Sequence, residues 1–107
     1  MSDRTIFHKI LDRELPSTVL YEDGDVMAIN DIHPQAPLHL LFIPKRFAQS
    51  LNHLTSETED LPGMLIKKAR AFAAEKGIAD YKLMFHAGKY TLVPYLHLHL
   101  LSDKSVD

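Results

Sequence analysis

Two histidines lie one residue apart near the end of the chain, His97 and His99 in the stretch PYLHLHLL. An imidazole can act as a nucleophile, a base or an acid near neutral pH, and in its neutral form it binds zinc. Because side chains of a strand alternate between its faces, these histidines share a face with Tyr95, while the leucines between them point the other way. The stretch therefore predicts a strand that packs its leucines in the core and presents two imidazoles on an accessible surface.

Two more histidines can join this pair. His39 lies in an apolar segment that would stand beside the pair if the two strands are neighbours, and His86 lies two residues before Gly88. The residues alone leave three interpretations open: polar residues on the outer face of a strand, a metal site with His39 or His86 as a further ligand, and a nucleophilic imidazole in an enzyme. A single strand histidine usually has the first role, whereas a His-x-His pair on one face favours the other two.

Short apolar runs between turn residues predict the strands that position these side chains. The first two runs flank an Asp-Gly turn, which is a strong hairpin signal. The predicted strands lie at residues 18–21, 26–29, 38–43, 81–86 and 95–102.

The first helix is predicted over residues 5–14, with Thr5 as its cap and Pro16 as its end. A longer helix over residues 55–76 follows the third strand. The order of elements predicts an α+β fold, a five-stranded antiparallel sheet with two helices, and 107 residues suit one domain.

The ends of the long helix carry their own signals. Ser56 and Glu59 have the spacing of a capping box, and Gly77 is placed to stop the helix. Pro62 is awkward inside a helix, so we expect a kink or a start nearer to Leu61.

The composition excludes several kinds of chemistry. The chain has no cysteine, which rules out disulfides, thiol nucleophiles and cysteine-bound zinc. Its net charge of −2 and scattered basic residues create no field for a nucleic acid. No apolar run approaches the roughly 20 residues of a membrane span, so we expect a cytoplasmic protein with neither a nucleic acid nor a membrane as its partner.

The segment YLHLHLL resembles the His-φ-His-φ-His-φ-φ signature of the histidine triad (HIT) family, in which φ is apolar. The resemblance runs from about Thr5 to Leu101 and is closest to the family's histidine triad nucleotide-binding branch. The other segments that carry it are Thr5-Ile6-Phe7, Asp31-Ile32, Pro34-Gln35-Ala36-Pro37, His39 and Ile43-Pro44-Lys45.

The resemblance implies a HIT-like fold and a hydrolase of the purine nucleoside phosphoramidase type, working on a purine nucleotide or nucleoside phosphoramidate without a metal or other cofactor. His97, as the middle histidine, would attack the α-phosphorus and form a nucleotidyl-histidine that water then cleaves. His99 would donate a hydrogen bond to the phosphate oxygens, with His39 beside it. Relatives of this branch are homodimers that pair the long helix and a strand across a two-fold axis, and we expect the same here.

The resemblance also implies nucleotide contacts. Asp31 would hold the ribose hydroxyls, with a turn-capping role as its alternative. Ile32 and Ile29 would form the apolar slot for the base. Gly88 and Thr91 belong to the loop expected to bind the nucleotide, with Thr91 as a substitute donor.

Three positions depart from the family pattern. Tyr95 replaces the first histidine of the triad, and a phenol there can position His39 or a water but carries no positive charge. His86 replaces an asparagine, and the loop Lys89–Leu92 is short of the polar run that contacts phosphate and leaving group. We expect slow hydrolysis with an altered leaving-group preference, His86 supplying the proton. The alternative is a nucleotide-binding module with little turnover.

Overall fold

The computed structural model describes residues 4–104. Within this range five strands form one antiparallel sheet in the order β1-β2-β3-β5-β4. The helices are α1 (Ile6–Leu11) and α2 (Leu61–Glu75), and the strands are β1 (Val19–Glu22), β2 (Val26–Asn30), β3 (Leu38–Pro44), β4 (Lys82–Met84) and β5 (Leu98–Ser102). The predicted α+β architecture is confirmed. Neither helix in this range has the length and hydropathy to cross a bilayer.

Alternation along the strands separates two apolar clusters, one on each face of the sheet. Leu98 and Leu100 of β5 face α2, together with Leu40 and Phe42 of β3. The opposite face carries Leu41, Ile43 and Tyr95, which pack against α1. The histidines of β3 and β5 fall on this second face because they alternate with the leucines, as the sequence predicted.

The last strand begins later than predicted. The backbone N–H of Leu96 donates to the carbonyl of Ala48 at 2.8 Å, so the residues before Leu98 pair with the segment after β3 and not with β4. The strand β4 is correspondingly short, Lys82–Met84 where residues 81–86 were predicted. The segment from Tyr95 to His97 is nevertheless buried and held by backbone hydrogen bonds.

The cap of α1 is confirmed, but its predicted end is wrong. The Thr5 hydroxyl accepts from the N–H groups of Phe7 and His8, and the His8 ring accepts from the Thr5 N–H, which completes a capping box. The helix ends at Leu11 because Arg13 turns into the left-handed region with a φ of 64°, well before Pro16.

The helix α2 begins at Leu61, and the predicted Ser56–Glu59 capping box is wrong. Asp60 is the N-cap, and its carboxylate pairs with Arg46 in place of a cap hydrogen bond. Pro62 lies in the first turn, where its missing N–H costs nothing, so no kink is needed. The stop is confirmed, since Gly77 has a φ of 69°.

Candidate active site

A cleft of about 410 Å³ opens on the sheet face that carries α1. This volume suits one small-molecule ligand, since such pockets usually hold about 300–1,000 Å³. Apolar side chains of α1 and β2 form one wall, and the histidines of β3 and β5 form the floor. The lining includes Phe7, Asp31, His39, His86, His97 and His99.

The strand register brings the histidines together. β3 and β5 are neighbours, with Leu41 opposite His99 and His39 opposite Leu101, so both imidazoles lie on the same face. The ring centre of His99 is 5.2 Å from that of His39, 5.0 Å from that of His97 and 4.6 Å from that of His86. The prediction that the imidazoles lie on an accessible surface is wrong, because His39, His97 and His99 are buried and line the cleft.

The tautomer of His97 follows from its backbone partner. Its Nδ1 lies 2.7 Å from the carbonyl oxygen of Tyr95, which can only accept, so Nδ1 carries the proton and donates. The other ring nitrogen, Nε2, therefore holds a lone pair. A neutral imidazole in this state is a competent nucleophile.

The tautomers of His39 and His99 are set in the same way. The backbone N–H of Gln35 donates to His39 Nδ1 at 3.1 Å, which leaves the proton of His39 on Nε2. That Nε2 lies 2.9 Å from His99 Nδ1 and donates to it, so His99 carries its own proton on Nε2. His99 Nε2 is buried and has no hydrogen-bond partner among residues 4–104. Buried donors are nearly always satisfied, so this atom indicates a missing acceptor in the cleft.

Burial keeps all three of these histidines neutral. It lowers the pKa of His97, and it lowers the pKa of His99 to about 4 with help from the neighbouring His97. It also lowers the pKa of His39, against the opposing attraction of Asp31. A nucleophilic imidazole must be unprotonated, so this environment favours catalysis at neutral pH.

The turn-capping role of Asp31 is confirmed, and its ribose contact stays a prediction. Its Oδ1 accepts from the backbone N–H of His33 at 2.9 Å, which is the turn-capping role. Its Oδ2 lies 3.4 Å from His39 Nε2 and is part of the cleft lining. The carboxylate is therefore available to a ligand while the turn holds it in place.

Tyr95 lies outside the cleft. Its hydroxyl donates to the carbonyl of Pro44 at 2.7 Å, and its ring packs against Phe7, His8 and Phe47. Burial raises its pKa to about 12, so the phenol stays protonated. The predicted contact of this hydroxyl with His39 is absent, because the side chain is turned towards Pro44. The backbone carbonyl of Tyr95 holds His97.

The predicted nucleotide contacts divide into two groups. Ile29 lies at the base of the cleft, and Ile32 stands at its rim with 77% of its surface exposed. Gly88 and Thr91 lie in a separate hollow beside Asn52, so the structure does not bring them to the cleft. A 3-10 turn over Gly88–Tyr90 carries the loop away, and Gly88 has a φ of 61° there.

Sequence reasoning missed two contributors to the site. The Phe7 ring stands edge-on to His97 with 4.9 Å between ring centres. Gln35 sets the tautomer of His39 through its backbone N–H, which no side-chain pattern could reveal. The position of Phe7 on the apolar face of α1 was the one available signal.

A metal needs a different arrangement of the same side chains. Asp31, His39 and His99 each offer a donor atom within 4.8 Å of the others, whereas His97 and His86 are not part of this group. Two nitrogens on one tetrahedral zinc lie about 3.3 Å apart, since each is about 2.0 Å from the metal. The nitrogens of His39 and His99 are 2.9 Å apart, which is a hydrogen-bond distance.

Comparison with known proteins identifies the family. The family model described as scavenger mRNA decapping enzyme C-term binding matches residues 4–107. A histidine triad protein from Clostridium difficile superposes with a TM-score of 0.88 at 32% identity, covering 100% of this chain and 96% of that one. The chain belongs to the histidine triad (HIT) family.

Two further HIT proteins that are similar to this chain are named as enzymes. A HIT family hydrolase from Legionella pneumophila Philadelphia 1 has a TM-score of 0.86 at 33% identity, covering 97% of this chain and 96% of its own. The purine nucleoside phosphoramidase of Escherichia coli K12 is 38% identical over 97% of this chain and 91% of its own length. The HIT fold and HIT membership predicted from the sequence are confirmed.

Proposed function

We propose that this HIT protein is a hydrolase of the purine nucleoside phosphoramidase type that works through His97. One observation carries the proposal: His97 Nε2 holds a lone pair, and His99 Nε2 carries an unpartnered N–H in the same cleft. A nucleophile beside a donor for the phosphate oxygens is what displacement at phosphorus needs. The phosphoramidase relative supplies the substrate class.

The reaction proceeds in two displacements. His97 Nε2 attacks the α-phosphorus, the bond from phosphorus to the leaving group breaks, and a nucleotidyl-histidine forms. Water then attacks the same phosphorus, releases the nucleoside monophosphate and restores the lone pair of His97. The N–H of His99 donates to a phosphate oxygen in both steps, and His39 keeps that proton on Nε2 by donating to Nδ1.

The nucleoside lies at the end of the cleft formed by α1 and β2. Asp31, held by its turn, accepts from the ribose hydroxyls with Oδ2. Ile29 and Ile32 contact the base, and Phe7 fills the space between the base and His97. Burial of apolar surface on the base supplies the binding free energy, and Asp31 supplies orientation.

The test is release of AMP from an aminoacyl or alkylamine adenosine phosphoramidate. The native protein should release AMP, and His97→Ala should release none while it still binds AMP. No release by the native protein would overturn the proposal. AMP binding without turnover would instead select the alternative, a nucleotide-binding module.

A metal-dependent hydrolase is separated by a second experiment. Asp31, His39 and His99 are the residues close enough to share an ion. We expect AMP release to be unchanged after dialysis against a chelator, because the proposed steps use only imidazoles. Loss of activity with chelator, restored by zinc, would select the metal site.

A further inference from the structure

His86 lies in the cleft beside His99, close to the proposed nucleophile. Met84 pairs with His99 across the antiparallel pair β4–β5. His86 follows two residues after Met84, just beyond the end of β4. Its ring centre is 4.6 Å from that of His99, and the side chain lines the cleft.

The sheet order assigns a direction to the substrate. Asp31 and Ile29 belong to the β2 side of the histidines, whereas β4 lies on the opposite side of β5. A phosphate between His97 and His99, with its nucleoside over β2, therefore directs its leaving group towards β4. His86 stands on that side.

His86 is the one polar side chain on this side of the cleft within residues 4–104. Apart from His97 and His99, the other lining residues that follow β3 are apolar: Met84, Leu92 and Val93. Gly88 and Thr91 line the separate hollow and are not part of the cleft lining. A leaving group on this side meets one titratable group.

The buried histidines cannot act as the acid. His99 holds a single proton on Nε2, and giving it away would leave an imidazolate, which is not formed near neutral pH. Burial lowers the pKa of His39, His97 and His99, so none of them gains a second proton at neutral pH. His86 is only half-buried, whereas the other three histidines are buried.

We propose that His86 is a catalytic residue that donates a proton to the leaving group, a role that rests on the proposed function. In the first step the lone pair of His97 forms the bond to phosphorus, the phosphorus–nitrogen bond breaks, and the proton of His86 passes to the leaving amine. In the second step neutral His86 takes a proton from the attacking water as the bond from phosphorus to His97 breaks. The proton returns to His86, so the cycle closes without a further reactant.

The test compares two leaving groups in one variant. His86→Asn is assayed with the phosphoramidate of adenosine 5′-monophosphate and a simple alkylamine, and with the 4-nitrophenyl ester of the same nucleotide. The amine needs a proton to leave and the nitrophenolate does not. We expect kcat/KM to fall about 100-fold or more for the amine and less than about threefold for the ester, the range of general acid catalysis.

Two further measurements complete the design. The retained ester rate shows that the variant is folded, and added imidazole should restore part of the amine rate in His86→Ala. Equal losses on both substrates, or no loss on the amine, would overturn the role of His86. No AMP from either substrate with the unmodified protein would instead overturn the proposed function, and the role of His86 with it.

Discussion

The carbonyl of Tyr95 and its side chain have separate tasks. The carbonyl accepts from His97 Nδ1 and fixes the tautomer of the nucleophile, and any residue at this position supplies a carbonyl. The phenol is turned towards Pro44 and fills an aromatic cluster with Phe7 and His8. A tyrosine in the first triad position is therefore compatible with a working His97.

Tyr95→Phe should affect stability more than catalysis. It removes the donor to the buried carbonyl of Pro44, and an unsatisfied buried acceptor costs about 1–3 kcal/mol. We expect the free energy of unfolding, measured with denaturant, to fall by that amount while AMP release changes less than threefold. Tyr90→Phe is the matched control, because Tyr90 is exposed. A loss of activity as large as that of His97→Ala would contradict this division of tasks.

The histidine cluster should make stability depend on pH. The pKa of His99 is about 4 in the folded protein because of burial, against an ordinary value of 6.5, so the unfolded chain binds more protons between these values. The contribution of His99 to the free energy of unfolding is therefore complete above about pH 6.5 and is lost as the pH drops towards 4. Hydrogen bonds from Arg13 and Lys45 lower the pKa of Glu22 to about 2. Its contribution to the free energy of unfolding is therefore lost only as the pH falls below its ordinary pKa of 4.5.

Denaturant unfolding at several pH values checks this dependence. We expect His99→Asn to flatten the slope of the free energy of unfolding between pH 4 and 6.5, the two values that bound its titration. His33→Asn, at an exposed position, should leave the slope as it is. An unchanged slope in His99→Asn would show that the cluster does not control acid stability.

Residue spacing predicted which imidazoles meet, but it did not predict their protonation. His97, His99 and His39 follow from alternation and strand adjacency, and the structure brings them together. Their tautomers depend on the Tyr95 carbonyl and the Gln35 N–H, which every residue type carries. Their burial was missed because it depends on α1 covering the sheet, a tertiary contact that alternation does not reveal.

At the scale of elements, α1 forms a wall of the cleft although it is only six residues long. So short a helix has little stability of its own and depends on its cap and its packing. The Phe7 ring packs α1 against His97, and the Thr5 capping box fixes the first turn of the helix. The order of α1 and the shape of the nucleoside end are therefore coupled.

Thr5→Ala should weaken both the folding of α1 and substrate binding at the nucleoside end of the cleft. Loss of the hydroxyl that accepts from Phe7 and His8 costs about 1 kcal/mol in the free energy of unfolding, as for other N-caps. We expect a severalfold higher KM for the phosphoramidate with a smaller change in kcat, because Phe7 contacts the nucleoside side of the cleft. Thr58→Ala also removes an acceptor for a backbone N–H, away from the cleft, and should leave KM unchanged.

The sequence predicted the elements better than their ends. Gly77 and Thr5 act within one turn of themselves, and both predictions are confirmed. The start of α2 depends on the pairing of Asp60 with Arg46, and the start of β5 on the bond between Leu96 and Ala48. These partners are distant in the chain, so local patterns did not contain them.

At the scale of the whole molecule, we predict a homodimer. The strand β4 is an edge of the sheet, and α2 exposes Ile66 on its outer side. An edge strand and an apolar helix position are suited to pairing with a second copy. We expect light scattering to give twice the 12.2 kDa chain mass and Ile66→Glu to reduce it to one chain.

The control for the dimer uses the opposite edge. Val19 is also exposed and apolar, but it lies on β1, so Val19→Glu should leave the mass unchanged. A native protein with the mass of one chain would contradict the dimer.

The proposed reaction requires that His97 carries the nucleotide between its two steps. The direct measurement is mass spectrometry of the protein quenched in alkali during turnover of an adenosine phosphoramidate, since the phosphorus–nitrogen bond of a nucleotidyl-histidine survives in base. We expect one adenylyl group, on the peptide that contains His97, and none in His97→Ala. Turnover without an adduct on that peptide, or an adduct on another histidine, would contradict it.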